Sequence, residues 1–414
     1  MRLSVADDQP CAPSALVDRR PFVGRRDRGW MGMGCRELLG RADVDDERLL
    51  AMVAAQLGEP ADQVEIVSVE ARAVDYALPA ITTAGRWWVD GQARAGGVHR
   101  PFRFFVKHVQ SWARHPFFAQ VPAEYRVAAA AAVPRRTEPN VYRSDLADRL
   151  PAGLTMPRSF GVYDVDDESA VVWLADVGGP RTPWTDERFG RAAHLLGRLA
   201  ASPWVAPLAA LDDSGWHVGQ YAIGRLRLQV LPMLRDDGLW RHPLIAEAFD
   251  RALRDRLLRA ADGTDELTAE LRAAPLLVGH GDACPNNLLF RPGNADLVLI
   301  DFGFWGARPI GFDLGQLVVG DVQLGYRAAA DLPRIEQVCI SAYLEGLRVE
   351  GCDLGLDVVR RAHAVQLMLF TGLSALPFEL LEAQPTPELR RVAAERAAIA
   401  RFSLDLLADT TRTH

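Results

Sequence analysis

Polar residues stand at fixed spacings between positions 280 and 303. The motif HGD occupies 280–282, Asn287 follows five residues after the aspartate, and the motif DFG occupies 301–303 at the end of the next apolar run. A carboxylate can accept the proton of a hydroxyl, and carboxylate and amide oxygens are good ligands for a hard divalent ion such as Mg²⁺. The spacing therefore predicts a base, Asp282, with two metal ligands, Asn287 and Asp301.

A single lysine stands in the N-terminal half of the chain. It is Lys107, and the other 46 of the 47 Lys and Arg residues are arginines. The two residue types are nearly interchangeable on a surface, but the compact ammonium of lysine differs from a guanidinium where one charge must reach a phosphate or a carboxylate. Taken by itself, Lys107 is explained equally well by chance survival of one surface lysine.

These residues together suit one reaction. Phosphoryl transfer from ATP needs a carboxylate that orients the attacking hydroxyl and accepts its proton, ligands for Mg²⁺, and a cation on the phosphates that are not transferred. The aspartates and Asn287 supply the base and the metal ligands, and Lys107 supplies the cation. The sequence therefore predicts ATP and Mg²⁺ as cofactors.

The same motifs resemble those of a known family, the aminoglycoside phosphotransferases and choline kinases, which are small-molecule kinases with a protein-kinase-like fold. The family's catalytic loop, H-G-D-x-x-x-x-N, is matched by HGDACPNN at 280–287. Its metal loop, I-D-[FW]-G followed by G-x-D-L, is matched by IDFG at 300–303 and by GFDLG at 311–315. The resemblance covers about residues 50–400, and the four specified positions of the catalytic loop seldom occur together by accident.

The resemblance implies a role for each matched residue. It implies Asp282 as the catalytic base, Asn287 and Asp301 as Mg²⁺ ligands, and Lys107 as a contact of the α and β phosphates. Glu138, which precedes Tyr-Arg in a predicted helix, is implied as the partner that holds this lysine.

The resemblance implies further positions around the site. Glu124 also precedes Tyr-Arg at a predicted helix start, so it is the alternative to Glu138. His280 and Asp313 are implied as residues that brace the catalytic loop. Residues 75–85 are implied as the loop that covers the phosphates, with contacts from its threonines. Adenine is expected to stack in the cleft and to hydrogen-bond to the hinge backbone, which comprises Leu174, Ala175, Asp176 and Val177.

The elements that must position these residues can be read from apolar periodicity and turn residues. Residues 1–44 have no sustained periodicity and are expected to be a disordered leader. A mostly β region at 45–177 is expected to be the nucleotide-binding lobe, and long amphipathic helices at 178–414 the catalytic and substrate-binding lobe. Thr137 is expected to cap a helix. The fold class is therefore predicted as α+β, with an antiparallel sheet in the N-terminal lobe, from strands near 63–71, 85–91, 102–109, 156–165 and 170–177.

Composition restricts the partners and the compartment. The net charge of -7 argues against nucleic acid or an anionic membrane as the main partner. The five cysteines form no CxxC pair and the N-terminus has no signal-peptide core, so a cytoplasmic protein is expected. A small-molecule substrate remains as the partner, and oligomeric state is not specified.

Other interpretations were open to the same sequence. A protein kinase is disfavoured because Gly281 stands where protein kinases carry arginine, and no Ala-Pro-Glu follows the metal loop. A catalytically silent nucleotide-binding regulator is the alternative function, although such proteins usually lose at least one of the motif residues. Cys284 and Trp305 are expected to pack rather than react. The predicted function is transfer of the γ-phosphate of ATP to a hydroxyl of an aminoglycoside-like compound, an amino alcohol or a sugar.

Overall fold

The predicted α+β class and two-lobe architecture are confirmed. In the computed structural model, a five-stranded sheet forms most of the N-terminal lobe, and helices dominate the rest of the described chain. No helix of the described part is both long and apolar enough to cross a membrane. The structure describes residues 36–74, 80–178, 182–211, 217–291 and 296–411.

The large sheet is fully antiparallel, with the strand order β1-β2-β3-β6-β5. Each predicted strand of this region is present, and β2 and β3 are longer than the sequence pattern indicated. The first two strand pairs form a meander, and β6 then adds beside β3. The strands are β1 (Val64–Ala73), β2 (Thr83–Ala95), β3 (Val98–Gln110), β5 (Ser159–Asp166) and β6 (Ser169–Ala175).

The two faces of the sheet have different neighbours because side chains alternate along a strand. One face presents Val89, Phe104, Val106 and Trp173 to the first helix, and together they form the core of the N-terminal lobe. The other face turns toward the helical lobe. Lys107 follows Val106 and therefore lies on this second face.

Fifteen α-helices are described. The longest is the C-terminal helix, and the pair of α5 and α13 forms the most extensive helix contact of the second lobe. The helices are α1 (Asp46–Leu57), α2 (Arg126–Ala131), α3 (Thr137–Arg143), α4 (Leu146–Arg149), α5 (Asp186–Ala201), α6 (Val218–Tyr221), α7 (Leu231–Leu234), α8 (Asp237–Arg241), α9 (Pro243–Ala248), α10 (Arg251–Asp262), α11 (Thr264–Ala273), α12 (Phe312–Gln323), α13 (Leu332–Val349), α14 (Leu356–Leu367) and α15 (Pro387–Thr411).

Two small sheets sit inside the helical lobe and carry the motif region. β7 (Leu276–Gly279) pairs antiparallel with β10 (Gly306–Pro309). β9 (Leu297–Leu299) pairs antiparallel with β8 (Leu288–Phe290) and parallel with β4 (Leu154–Thr155). Because β4 precedes β5 in the chain, a short piece of the predicted N-terminal lobe joins the sheet of the other lobe.

Two details of the sequence prediction are wrong. Residues 37–42, assigned to a disordered leader, form a 3-10 helix (Glu37–Ala42), because Leu39 and Ala42 bury their side chains in the core of the N-terminal lobe. The leader prediction for residues 1–35 lies outside the described residues. Thr137 is the first residue of α3 and fully buried, so it is not the helix cap.

We propose a lobe boundary between the end of β6 at Ala175 and the start of α5 at Asp186, an interval that contains the predicted boundary at 177.

Candidate active site

Lys107 contacts two carboxylates from different parts of the chain. Its Nζ lies 2.5 Å from Oε2 of Glu138 in α3 and 3.0 Å from Oδ1 of Asp301 in the metal loop. Lys107 is 5% exposed and Glu138 is 4% exposed, so the ion pair is almost completely excluded from solvent. Glu124, the alternative partner, is exposed in a 3-10 helix (Ala123–Tyr125). The structure therefore brings Glu138, and not Glu124, to the lysine.

Burial and neighbouring charges together determine the pKa values of Lys107 and Asp301. Burial disfavours the charged lysine, but Asp301 and Glu138 outweigh it, so the pKa of Lys107 is raised. Burial alone would raise the pKa of Asp301, and the ammonium of Lys107 reverses this and lowers it. Lys107 and Asp301 are thus held as ions, and the contact ties β3 to the metal loop across the cleft.

Asp301 has an unusual backbone. Its φ of 63° makes it the one non-glycine residue of the described chain with a positive φ. Aspartate tolerates this left-handed conformation better than most residues because its short polar side chain can bond locally. The turn follows directly after β9, and it leaves the carboxylate beside Lys107.

The catalytic loop is held by Asp313 at the start of α12. Oδ2 of Asp313 accepts the backbone N–H of His280, and Oδ1 accepts the backbone N–H of Gly281, both at 2.8 Å. Gly281 has φ +82°, and a Cβ at this position would lie 1.9 Å from the carbonyl oxygen of Phe304. Only glycine fits between the two loops, which gives the Gly of the motif its physical reason.

His280 joins the same two loops through its ring. The ring is fully buried, and burial lowers its pKa, so it is neutral. Nε2 lies 3.0 Å from the carbonyl oxygen of Ile300 and must carry the proton, while Nδ1 accepts the backbone N–H of Asp282 at 3.3 Å. His280 therefore orients the backbone and has no access to a substrate.

Asp282 and Asn287 form a direct pair. Nδ2 of Asn287 donates to the carbonyl oxygen of Asp282 at 2.9 Å and to its Oδ2 at 3.0 Å. Burial and then the negative charge of Asp301 raise the pKa of Asp282 to about 7, against the opposing effect of the Asn287 hydrogen bond. A carboxylate with a pKa near neutrality is suited to proton transfer at physiological pH.

The oxygens of the predicted metal ligands, Asn287 and Asp301, are of the type that a hard divalent ion prefers. Nδ2 of Asn287 donates to Asp282, and no hydrogen bond from a described residue ends at its Oδ1. Oδ2 of Asp301 is likewise not the oxygen that Lys107 contacts. The described residues contain no group of three or more His, Cys, Asp or Glu that could hold a metal alone. A two-ligand site is instead typical of Mg²⁺, which keeps waters and takes further oxygens from phosphates.

The predicted hinge residues are the last two residues of β6, Leu174 and Ala175, and the two that follow the strand, Asp176 and Val177. Leu174 pairs with Phe105 in the sheet, and Asp176 lies 3.5 Å from Arg103 of β3. The backbone of Val177 makes no hydrogen bond to another described residue.

Sequence reasoning missed a pair of aromatic side chains on the face of the sheet that carries Lys107. Trp88 and Phe105 are directly opposite on β2 and β3, with ring centroids 5.1 Å apart. Both are half-buried and share the face of Lys107. The signal was present in the sequence, because Phe105 is two residues from Lys107 and side chains on a strand alternate with period two. The pairing with Trp88 required the register.

Three residues near the motifs are structural. Burial raises the pKa of the Cys284 thiol to about 12, so the thiol is protonated at neutral pH and is poorly suited to act as a nucleophile. Trp305 is fully buried, and its Nε1 donates to the carbonyl oxygen of Leu208 at 2.9 Å. Arg308 is buried and donates to the carbonyl oxygens of Phe304 and Ala307. Trp305 and Arg308 therefore support the metal loop from behind.

The fold has a β-rich lobe and a helical lobe, and the two meet where Lys107 of the sheet contacts Asp301. A model of the phosphotransferase enzyme family matches residues 98–349, more than half of the chain. The chain therefore belongs to the phosphotransferase enzyme family. The matched segment contains β3 with Lys107, α3 with Glu138, and both motif loops.

Solved structures give more distant similarities. An aminoglycoside phosphotransferase from Alicyclobacillus acidocaldarius is 15% identical over 78% of this chain and 92% of that chain, with a TM-score of 0.46. An ethanolamine kinase from Plasmodium vivax is 11% identical over 87% and 92%, with a TM-score of 0.40. A choline kinase from Cryptosporidium parvum is 13% identical over 89% and 96%, with a TM-score of 0.38. No curated protein matches the chain.

Proposed function

We propose that this protein is an ATP- and Mg²⁺-dependent kinase of a small molecule, which moves the γ-phosphate of ATP to a hydroxyl group. The observation that carries the proposal is the convergence of Lys107, Glu138 and Asp301 across the cleft, beside the Asp282–Asn287 pair. This set matches the parts that phosphoryl transfer requires.

Each residue then has one task. Asp282 holds the acceptor hydroxyl and takes its proton, with the carboxylate oriented by Asn287. Lys107 binds the phosphates that stay on the nucleotide, and Glu138 keeps its ammonium in place. When bound between Asn287, Asp301 and the phosphates, Mg²⁺ would offset negative charge on the transferred group.

The nucleotide base would lie against the side chains of Trp88 and Phe105. Trp88 and Phe105 offer apolar surface on the cleft face of the sheet. The hinge backbone around Leu174, Ala175, Asp176 and Val177 offers hydrogen-bonding groups to adenine.

The proposed compartment is the cytoplasm. Cys284, Cys339 and Cys352 of the described chain are free thiols, which suits a reducing environment.

The acceptor class is proposed as an aminoglycoside-like compound, an amino alcohol or a sugar. The test is incubation of the purified protein with Mg²⁺-ATP and a pooled panel of these compounds, read by mass spectrometry for the addition of one phosphoryl group. A product that disappears in Asp282→Ala supports the proposal. Phosphorylation that persists in Asp282→Ala would contradict it, and Mg²⁺-ATP binding without any product would favour the silent regulator.

A further inference from the structure

A second cation lies beside Lys107 on the neighbouring strand. Arg86 of β2 is the residue directly opposite Lys107 of β3. Directly opposite residues of an antiparallel pair project to the same face, with Cβ atoms about 4.5–5.5 Å apart. Arg86 therefore shares the cleft face with Lys107, and it is half-buried there.

The order of residues along the strands places Arg86 at the phosphate end of the cleft. Phe105 pairs with Leu174 at the hinge on one side and with Trp88 on the other. Two residues further from the hinge, the same two strands carry Lys107 and Arg86. A nucleotide with its base at the hinge and its phosphates at Lys107 therefore also passes Arg86.

Arg86 adds a second positive charge to the face on which Lys107 contacts Glu138 and Asp301. Two cations thus face two carboxylates, and an incoming triphosphate adds negative charge that both cations can share.

We propose that Arg86 binds the terminal phosphates of the nucleotide, as a second cation beside Lys107. The inference rests on the proposed function and adds a residue specific for the triphosphate. The planar guanidinium can make two parallel hydrogen bonds to phosphate oxygens, whereas the ammonium of Lys107 acts as a point charge.

The test compares ligands that differ only in phosphates. Dissociation constants of adenosine and of a non-hydrolysable ATP analogue with Mg²⁺ are measured by calorimetry for the unmodified protein, Arg86→Met, Arg86→Gln and Arg94→Met. Arg94 is the matched control, since it lies on the same face of β2, roughly 26 Å further along the strand, in an exposed pair with Glu65. Thermal unfolding of each variant is recorded in parallel.

We expect Arg86→Met and Arg86→Gln to raise the dissociation constant of the ATP analogue by about 10- to 100-fold, because a charge-assisted contact is lost. The dissociation constant of adenosine should stay within about twofold, because adenosine has no phosphates. Arg94→Met should change the dissociation constant of neither ligand. Unchanged analogue binding in both Arg86 variants would overturn the inference, as would equal losses for adenosine and the analogue. An unmodified protein that binds neither ligand would instead refute the proposed function itself.

Discussion

Replacement of Lys107 by arginine tests why the chain keeps one lysine among 46 arginines. The change preserves the positive charge and alters only shape. The ammonium contacts Glu138 at 2.5 Å and Asp301 at 3.0 Å, in surroundings where Lys107 is 5% exposed. A guanidinium is planar and has two more heavy atoms, so it cannot occupy this place without moving one of the carboxylates.

The size of the effect follows from this displacement. Forcing additional atoms into a packed site costs about 1–3 kcal/mol of folding free energy. A shift of about 1 Å at Asp301 would misplace a proposed metal ligand, and misplacement on this scale costs about 100-fold in rate. We therefore expect Lys107→Arg to remain folded with kcat/KM for ATP reduced by about 100-fold, or ~2.7 kcal/mol.

The assay is steady-state ADP formation with the acceptor found in the panel, with circular dichroism and thermal unfolding as checks of folding. Arg94→Lys is the reverse change at an exposed arginine and should have no effect on either quantity. If Lys107→Arg is folded and retains kcat/KM within about threefold, the shape argument for Lys107 is refuted.

Three further predictions concern single residues. Gly281→Ala places a Cβ 1.9 Å from the carbonyl oxygen of Phe304 at a φ of +82°, so we expect at least about 3 kcal/mol of destabilisation by denaturant unfolding and loss of transfer. The pKa of Asp282, raised by burial to about 7, predicts that kcat/KM increases with pH through that value, because the deprotonated carboxylate is the base; a flat profile between pH 6 and 8 would argue against this role. Burial lowers the pKa of His363 to about 4, below its unfolded value, so the unfolded state binds the extra proton as pH falls from about 6.5 to about 4. His363 should therefore cost about 2 kcal/mol of stability at pH 5 relative to pH 8, and His363→Gln should show a smaller difference in urea unfolding.

The sequence predicted those parts of the fold that local patterns determine. Strands such as β3 are bounded by turn residues and alternate clearly, and the spacing of Asp282 and Asn287 is a property of one loop. The chemistry of phosphoryl transfer and the family resemblance both assign Lys107 and Asp301 to one site, but neither predicts their direct contact across 194 positions. Neither alternation nor spacing relates two residues so far apart.

Other features could not be read from the chain because they depend on register or on long-range packing. The pairing of Arg86 with Lys107 requires the β2–β3 register, which a one-residue shift would change. β4 contains two residues, too few for a periodic signal, and is a strand because it pairs with β9. Leu39 could not be assigned from local sequence, because the 3-10 helix that carries it packs against β1 and β3.

The central claim is that Asp282 is the base of a phosphoryl transfer in this cleft. Its most direct test is a single-turnover measurement of phosphate transfer to the identified acceptor, with saturating Mg²⁺-ATP, for the unmodified protein and for Asp282→Asn. We expect the transfer rate to fall by about 10²- to 10⁴-fold, with the dissociation constant of Mg²⁺-ATP within about threefold of the unmodified value. A transfer rate that is unchanged in the asparagine variant would contradict the account.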